Sequence, residues 1–388
     1  MAKLNSLHCI PTIDALKTAM EHSNNNKQNL TYFPKPVNIV NKDRHYLGMS
    51  AIGHECERSL FYSFREAAER EISSQGLLAI QDGHIQEQLF IDRINIFLPE
   101  INLITEERGE QIAFLDHDGH YSGHADGVIK GILEAPETWH IWEHKSVNEV
   151  KFKKLQKLCS ENEKSALKNW DLTYYAQAQE YMYYSGLTRH YLTVSSPGGR
   201  DYTSCRTDYN KKDADYYVKR AFDIINCNKI PVRLSEKPEF YRCKWCQFQD
   251  ICHFNKVPEV NCKTCKSFAT IEKGEFYCNK KACKIENIEP CPEHIFNPDL
   301  INLKVLKQDP EFTLYEIDKK NGFCNCGIEN SKMEAPDDCF LINSFDLKEQ
   351  VKNFDNLSVE KIREFFGGEI IEEKIETVPI DASLFNKI

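Results

Sequence analysis

Two short stretches decide the fold of this chain: Gly123 to Val128 (GHADGV) and Trp139 to Lys145 (WHIWEHK). Both are strand-like, and residues two apart on a strand share a face, so Glu143 and Lys145 project to one side. If the strands are neighbours, Asp126 lies beside this pair. Two adjacent carboxylates repel each other unless a cation lies between them, so the pattern predicts Mg²⁺ or Mn²⁺ at Asp126 and Glu143. We expect the flanking glycines to leave room for a ligand at the aspartate.

A Glu-x-Lys tripeptide at a strand end is also common by chance, so further candidates are needed. Glu87 lies on an apolar helical stripe whose other members are Ile80, Ile91, Ile94 and Leu98. An acid on a core-facing stripe is costly unless it is paired, binds metal or reaches water at the stripe edge. Gln177 and Tyr181 are four residues apart and share a helix face, where they either position the site or pack in the core.

The surrounding pattern predicts an α/β domain from about residue 51 to 255. Helices are expected at 77–98, 172–185 and 212–226, and strands at 121–132, 139–147, 189–196 and 200–208. The last two strands are joined by Pro-Gly-Gly, which is a hairpin signal. Near the chain ends, helices are expected at 13–22 and 358–366, and a polar linker at 24–29.

The composition of the chain disfavours several classes of function. The net charge of the 388 residues is −10, which argues against a general nucleic-acid coat protein. No apolar run is long enough for a secretory signal or a membrane span, so we expect a cytoplasmic location and no membrane partner. In a reducing compartment, 16 cysteines favour metal or iron–sulfur ligation over disulfides.

Most cysteines lie beyond residue 240, in two frames. Cys243, Cys246 and Cys252 form a C-x2-C-x5-C array that requires a fourth ligand, for which the candidate is Cys56. A second frame, C-x2-C-x12-C, has zinc-ribbon or zinc-knuckle spacing and consists of Cys262, Cys265 and Cys278. For its fourth ligand Cys291 is preferred to Cys283, and His294 is an alternative.

The remaining cysteines predict no site. Cys324, Cys326 and Cys339 are too sparse, and the others are most simply packed or unligated thiols, namely Cys9, Cys159, Cys205 and Cys227. A lysine-rich segment, 151–168, suits a polyanion passing the metals, although such runs are usually solvated helix faces. Tyrosines of the 172–185 helix can stack on unpaired bases or pack in the core.

Taken in order, the motifs resemble the RecB-like branch of the PD-(D/E)XK nuclease superfamily. That branch has Gly-x-x-x-His/Glu, Gly-x-x-Asp, Glu-x-Lys and Gln-x-x-x-Tyr, which here are Gly83–Glu87, Gly123–Asp126, Glu143–Lys145 and Gln177–Tyr181. The chain departs from many relatives in carrying Glu87 instead of histidine, and glutamate suits Mg²⁺ better than imidazole does. The resemblance covers about residues 51–255. It rests on the order and spacing of the four motifs and not on any single motif.

The resemblance implies a restriction-endonuclease-like mixed sheet flanked by helices. It further implies metal-dependent cleavage of DNA, at ends or on single strands, in recombination, repair or replication, with a helicase or recombination protein as a possible partner. Glu87, Asp126 and Glu143 would bind the metal. Lys145 would orient the attacking water or stabilise developing charge, with Gln177 and Tyr181 positioning the site.

Iron–sulfur members of the same branch include the AddB subunit and the CRISPR-associated adaptation nucleases. They use one cysteine before the nuclease core and three after it. The resemblance therefore implies that Cys56, Cys243, Cys246 and Cys252 hold a four-iron four-sulfur cluster that staples the two ends of the domain. Zinc on the same four thiolates is the alternative.

Four segments are expected. They are an N-terminal helix and linker (1–50), a nuclease domain closed by the cluster cysteines (51–256), a Cys-rich zinc-knuckle module (257–296) and a small C-terminal α+β segment without an assigned role (297–388). Two other function classes stay open: a non-catalytic DNA-binding or scaffold subunit, and a redox protein. The absence of a flavin or nicotinamide motif disfavours the redox protein.

Overall fold

The computed structural model describes residues 11–25, 45–69, 73–227, 229–317, 322–332, 339–351 and 354. The expected mixed α/β class is confirmed. The helices are α1 (Thr12–Asn25), α2 (Glu57–Phe64), α3 (Ser74–Phe97), α4 (Glu149–Trp170), α5 (Leu172–Ser185), α6 (Lys211–Ile225), α7 (Tyr241–Lys244), α8 (Gln249–His253) and α9 (Ser344–Gln350).

The strands form several small sheets around one larger one. They are β1 (Leu47–Gly48), β2 (Asn102–Ile104), β3 (Glu106–Glu107), β4 (Glu110–Gln111), β5 (Ala113–Asp116), β6 (Tyr121–His124), β7 (Gly127–Lys130), β8 (His140–Ser146), β9 (Arg189–Ser195), β10 (Tyr202–Asp208), β11 (Phe268–Thr270), β12 (Phe276–Cys278), β13 (Cys283–Ile285), β14 (Val305–Gln308), β15 (Phe312–Glu316), β16 (Gly322–Cys326) and β17 (Cys339–Asn343).

The largest sheet has five strands in the order β10-β9-β8-β7-β2. Its central pair, β8 and β9, is parallel, and the other pairs are antiparallel. A parallel pair needs a crossover, which α4 and α5 supply. The two helices begin at side-chain N-caps, where Asn148 accepts from the amide of Lys151 and Asp171 from that of Thr173. Gly186 ends α5 in the left-handed conformation that favours glycine.

Side chains on the two faces of this sheet belong to two separate hydrophobic cores. Ile141 and Leu192 belong to the core shared with α2, α4, α5 and α6. Trp142 and Tyr191 belong to the core shared with α1 and α3, in which Phe90 stacks on Trp142 with ring centroids 5.8 Å apart. This alternation directs Glu143 and Lys145 to the face opposite Trp142.

The observed elements include several that were not predicted, namely α2, β2 to β5, α7 and α8, and two further segments differ from their predictions. The strand predicted over 121–132 is two strands, because the chain leaves the β5–β6 sheet at Ala125 and enters the five-stranded sheet at Gly127. The lysine-rich segment lies in α4, whose helical geometry is interrupted by a kink at Asn162; only the charge of this segment was noted from sequence. The predicted helix over 358–366 and residues 26–29 of the predicted linker lie outside the described residues; Asn24 and Asn25 end α1.

The C-terminal part packs directly on the rest of the protein. Phe276 of β12 and Leu300 are in the same core as the central sheet. Lys263, only 1% exposed, donates to Glu66 at 2.9 Å and to the carbonyl of His45 at 3.0 Å. A four-stranded sheet, β14-β15-β16-β17, builds a third core with α9. In the part of the chain that the structure describes, no helix is long and apolar enough to cross a membrane.

Candidate active site and cysteine clusters

Asp126, Glu143 and Lys145 converge at one edge of the β7–β8 pair. The register places Gly127 opposite Trp142, so Asp126 and Glu143 are the next residues along it. The ammonium of Lys145 donates to Glu143 Oε1 and lies 3.9 Å from Asp126 Oδ2. The backbone amide of His144 donates to Asp126 Oδ2 at 2.9 Å. The predicted neighbourhood of the two carboxylates and the lysine is therefore present.

Gln177 and Tyr181 belong to the same hydrogen-bond network. Gln177 Nε2 donates to Glu143 Oε1 at 2.9 Å and to the hydroxyl of Tyr181 at 3.1 Å. The Tyr181 hydroxyl in turn donates to the carbonyl of His124 at 2.9 Å. Gln177 thus contacts the carboxylate rather than Lys145, and the pair ties α5 to both strands of the site.

The charges of the site perturb one another strongly. Burial, followed by the charge of Asp126, raises the pKa of Glu143 to about 7 and that of Glu87 to about 8. Burial would lower the pKa of Lys145, but Glu143 and Asp126 together raise it above its ordinary value. Glu87 on α3 is therefore within electrostatic reach of the other three groups, as its position on the helical stripe suggested.

One oxygen of the site has no hydrogen-bond partner. Glu143 is 4% exposed, and its Oε2 atom is buried without a donor. Leaving such an acceptor unpaired is costly, so this atom is available to a cation. Nevertheless, no three His, Cys, Asp or Glu side chains among the described residues are arranged to hold a metal ion as they stand. Binding an ion would require the donors to close around it.

The expectation that glycines leave room for a ligand at Asp126 is wrong. A Cβ at Gly123 would come within 2.6 Å of the Tyr181 ring, and one at Gly127 within 2.6 Å of the carbonyl of Ile104. Packing of the protein itself therefore fills the space beside both glycines. These glycines bring α5 and β2 against the strands that carry the site.

Two contacts at this site were not foreseen. The Tyr174 ring lies 5.7 Å from the Lys145 ammonium, within the range of a cation–π interaction. Ser146, which follows the Glu-x-Lys motif, donates to Asp82 of α3 at 3.0 Å and so joins α3 to β8. The Tyr-rich composition of α5 hinted at the first contact, whereas no sequence signal pointed to the second.

The lysines of α4 are mostly paired with acids. Lys154 contacts the carbonyl of Trp170 at 3.5 Å. The ion pairs of the others are Lys151–Asp171, Lys153–Glu149, Lys157–Glu161, Lys164–Asp208 and Lys168–Asp213, at 2.6–3.8 Å. This surface is thus less positive than its lysine content suggests, which agrees with a solvated helix face.

Cys56 lies with the first cysteine frame although it is far away in sequence. It lines one cavity together with Cys243, Cys246 and Cys252. Arg220 of α6 holds the segment before it by donating to the carbonyls of Ile52 and His54, both at 2.8 Å. The contacts to the thiols themselves are long: Arg58 Nη1 to Cys252 Sγ is 3.8 Å, and Cys246 Sγ to Ser59 Oγ is 3.9 Å.

The other cysteines of the second frame lie near Cys262. The thiols within its electrostatic reach are Cys265, Cys291 and Cys278. The preferred fourth residue, Cys291, thus accompanies the other three, whereas Cys283 is exposed. His294 is 1% exposed; its Nε2 atom lies 3.0 Å from the carbonyl of Asn261, whereas its Nδ1 atom is buried without a hydrogen-bond partner.

No protein-family model matches the chain, and no curated protein matches its sequence. Solved structures with a partial likeness include an alkaline exonuclease from Laribacter hongkongensis, at 14% identity and a TM-score of 0.33, covering 47% of this chain and 86% of that one. The same exonuclease was also solved in complex with dAMP. A phage-related exonuclease from Haemophilus somnus 129PT has 12% identity and a TM-score of 0.29, with coverages of 45% and 78%. At these scores the likeness carries no argument about activity.

Proposed function

We propose that the chain is a metal-dependent DNA phosphodiesterase of the PD-(D/E)XK type. One observation carries the proposal: Asp126, Glu143 and Lys145 meet at one strand edge, with a buried oxygen of Glu143 left without a donor. Cleavage at DNA ends or on single strands, in recombination, repair or replication, is part of the proposal and derives from the order and spacing of the motifs.

The donor set fits a hard divalent cation. Asp126, Glu143 and Glu87 offer only carboxylate oxygens, which Mg²⁺ and Mn²⁺ prefer. The pKa values of Glu143 and Glu87 are raised first by burial and then by the charge of Asp126, and a cation at the carboxylates would favour their charged forms. When bound, such an ion supplies Lewis-acid polarisation of the scissile phosphate and activation of water.

The chain's own residues then orient the site and balance its charge. In the hydrolysis, a water oxygen forms a bond to phosphorus, the ester P–O bond breaks, and the leaving oxygen takes up a proton. Lys145 remains an ammonium because its two carboxylates raise its pKa, so it stabilises developing negative charge and is not the base. Gln177 holds Glu143 by a hydrogen bond, and Tyr181 positions Gln177 by accepting a second one.

The cysteine clusters are proposed as structural centres of the same enzyme. Four thiols lining one cavity offer the soft donors that a four-iron four-sulfur cluster or zinc prefers, and we favour the iron–sulfur cluster at Cys56, Cys243, Cys246 and Cys252. Zinc is proposed at the second frame, Cys262, Cys265, Cys278 and Cys291. Iron, acid-labile sulfide and zinc contents of anaerobically purified protein test both assignments, and zinc without iron would contradict the first.

The activity is tested with anaerobically purified protein and end-labelled single- and double-stranded DNA in Mg²⁺, Mn²⁺ or EDTA. Cleavage is expected with either metal and not in EDTA, and the product ladder reports the polarity. Covalently closed circular DNA separates an endonuclease from an exonuclease.

Lys145→Ala should abolish cleavage without loss of folding. Its matched control is Lys153→Ala, because Lys153 is 71% exposed on α4 and pairs only with Glu149 of its own helix. Absence of cleavage by wild-type protein with intact metal centres, on any of these DNAs, would overturn the proposal and favour a non-catalytic DNA-binding subunit.

A further inference from the structure

Two aromatic side chains are exposed beside the first cysteine frame. Tyr241 begins α7 and Trp245 follows its last residue, so the two are four apart and share a helix face. Their exposed fractions are 60% and 82%, although tyrosine and tryptophan bury most of their surface in folded proteins. Covering both rings with a partner would be favourable, because aromatic rings contribute much of the free energy of binding at contact surfaces.

A cation lies beside each of these rings. The guanidinium carbon of Arg242 is 5.2 Å from the centroid of the Tyr241 ring, and the ammonium of Lys244 is 5.4 Å from that of the Trp245 ring. Both distances are within the range of a cation–π interaction. The segment therefore combines aromatic and basic residues, which together bind unpaired bases by stacking and their phosphates by charge.

Arg242 is held in place and still has hydrogen-bond donors to offer. Its Nε and Nη2 atoms donate to the two carboxylate oxygens of Glu55 at 3.2 and 3.1 Å. A guanidinium carries five N–H groups, so these two bonds do not use all of them. A guanidinium that is fixed in this way suits a phosphate, which arginine binds through its planar fork.

A cavity of about 310 Å³ lies between α7 and the start of α5. Arg242 lines it together with residues 53–55 and residues 168–173, which end α4 and begin α5. The next residue of α5, Tyr174, has its ring 5.7 Å from the ammonium of Lys145. A strand bound at α7 therefore has a route past the start of α5 to the carboxylate–lysine site.

We propose that Tyr241 and Trp245 form a stacking platform for unpaired bases of a DNA strand, with Arg242 and Lys244 binding its phosphates. The inference rests on the proposed function, which supplies DNA as the polymer, and deepens it by naming where an unpaired strand binds. A protein could also cover the two rings, but it would leave the cations and the route to Lys145 without a role. Because every base has a π face, binding should not depend on base sequence.

The first test measures binding without cleavage. Full-length, anaerobically purified protein is titrated into fluorescein-labelled oligo(dT) without added Mg²⁺ or Mn²⁺, and fluorescence anisotropy gives the Kd. Tyr241→Ala/Trp245→Ala should raise the Kd about fivefold or more, because it removes two stacking surfaces. Tyr241→Phe/Trp245→Phe should retain most of the binding, because its π faces remain.

The matched control is Tyr216→Ala, which removes an exposed tyrosine from α6 and should leave the Kd at the wild-type value. An unchanged Kd in the double alanine variant would overturn the proposal and indicate that a protein covers the rings. So would an equal rise of the Kd in the control.

Lys244→Gln tests the phosphate contact. Each contact to a single strand contributes about 0.7 to the steepness with which log K falls against log salt concentration, so this variant should lower the steepness by about that amount. The control is Lys219→Gln, since Lys219 is exposed on α6 and pairs with Asp223 of the same helix. An unchanged salt dependence in Lys244→Gln would contradict its role in the proposal.

Photo-crosslinking needs no variant and therefore stays decisive if a substitution disturbs the neighbouring cysteines. Wild-type protein irradiated with oligo(dT) should crosslink within residues 241–245, as mapped by mass spectrometry, and crosslinks confined to other segments would overturn the proposal. None of these readouts depends on DNA cleavage. A chain that binds DNA at α7 but cuts none would fail only as a nuclease, whereas a nuclease that binds equally well without both rings would contradict only the stacking platform.

Discussion

The carboxylate–lysine site and the Cys56 cluster bring their donors together in different ways. Asp126 and Glu143 come from adjacent antiparallel strands, and their positions follow from one register. Cys56 precedes α2, whereas its three partners lie after α6, so the whole domain must fold before the four thiols meet. Closing so long a loop costs entropy that only tertiary packing, or an ion, offsets.

The two sites also differ in how firmly the protein holds them. Two donors of the first are fixed by hydrogen bonds of 2.9 Å, from Gln177 to Glu143 and from the amide of His144 to Asp126. The contacts to the thiols of Cys252 and Cys246 are 3.8 and 3.9 Å long, respectively, and therefore weak. We infer that the first site keeps its hydrogen bonds without a metal, although its donors must still close around one, and that the second depends on its metal centre for stability.

The largest expected effect is on catalysis. Asp126→Asn should lower the DNA cleavage rate by about 10³-fold, because a neutral amide binds a divalent cation poorly. The fold should be retained, since Asn can still accept from the amide of His144. The rate at saturating Mg²⁺ and the thermal midpoint measure both effects, with exposed Asp215→Asn on α6 as the control. Equal loss of rate in the two variants would contradict a metal-binding role.

Cys243→Ser should lower the stability of the protein and leave the DNA cleavage rate of the folded fraction nearly unchanged. Loss of the ion is expected to lower the free energy of unfolding by on the order of 3–5 kcal/mol. The protein that remains folded should cleave DNA at a nearly normal rate. Urea denaturation and the specific activity of the folded fraction test this. A stable but inactive variant would break the proposed division between a structural and a catalytic centre.

Gln177→Leu should reduce activity less than loss of a metal ligand does. It removes the donor that holds Glu143, so the turnover number is expected to fall about 10- to 100-fold, with little change in KM. Tyr181→Phe should lower it less, because Gln177 keeps its bond to Glu143. Gln88→Leu on α3 is the control, since Gln88 bonds to Asp92 of the same helix. A tenfold rise in KM with unchanged turnover would indicate substrate contact instead.

The sequence predicted that Asp126, Glu143 and Lys145 lie together, and it could do so because its signals are local. Alternation along β8 and an acid on the stripe of α3 do not depend on long-range packing, and Glu87 lies where the stripe suggested. The close packing at Gly123 could not be predicted from sequence, because the atoms that fill the space where its side chain would lie belong to Tyr181 and Met49. The contact between the thiols of Cys324 and Cys339, whose Sγ atoms are 3.2 Å apart, was missed for a similar reason, since it depends on the parallel register of β16 and β17.

Glu180 offers a smaller and sharper test of the difference between a carboxylate that binds metal and one that is only buried. It is fully buried on α5 and accepts a hydrogen bond from Tyr121 at 2.8 Å, and its second oxygen has no partner, as in Glu143. Burial raises its pKa to about 8, although the Tyr121 bond opposes the shift. No metal-binding role is proposed for it.

The raised pKa fixes the sign of the pH dependence. Below about pH 4.5 Glu180 is protonated in both the folded and the unfolded state, and its contribution to stability is fully present; it is lost as the pH rises through about 8. Glu180→Gln mimics the protonated form, so it should match the wild type at pH 5 and be more stable by about 1–2 kcal/mol at pH 9. Urea denaturation at the two pH values measures this difference, and Mg²⁺ should leave it unchanged. If Mg²⁺ instead removed the wild type's loss of stability at pH 9, an unpaired buried oxygen would no longer distinguish Glu143 from Glu180.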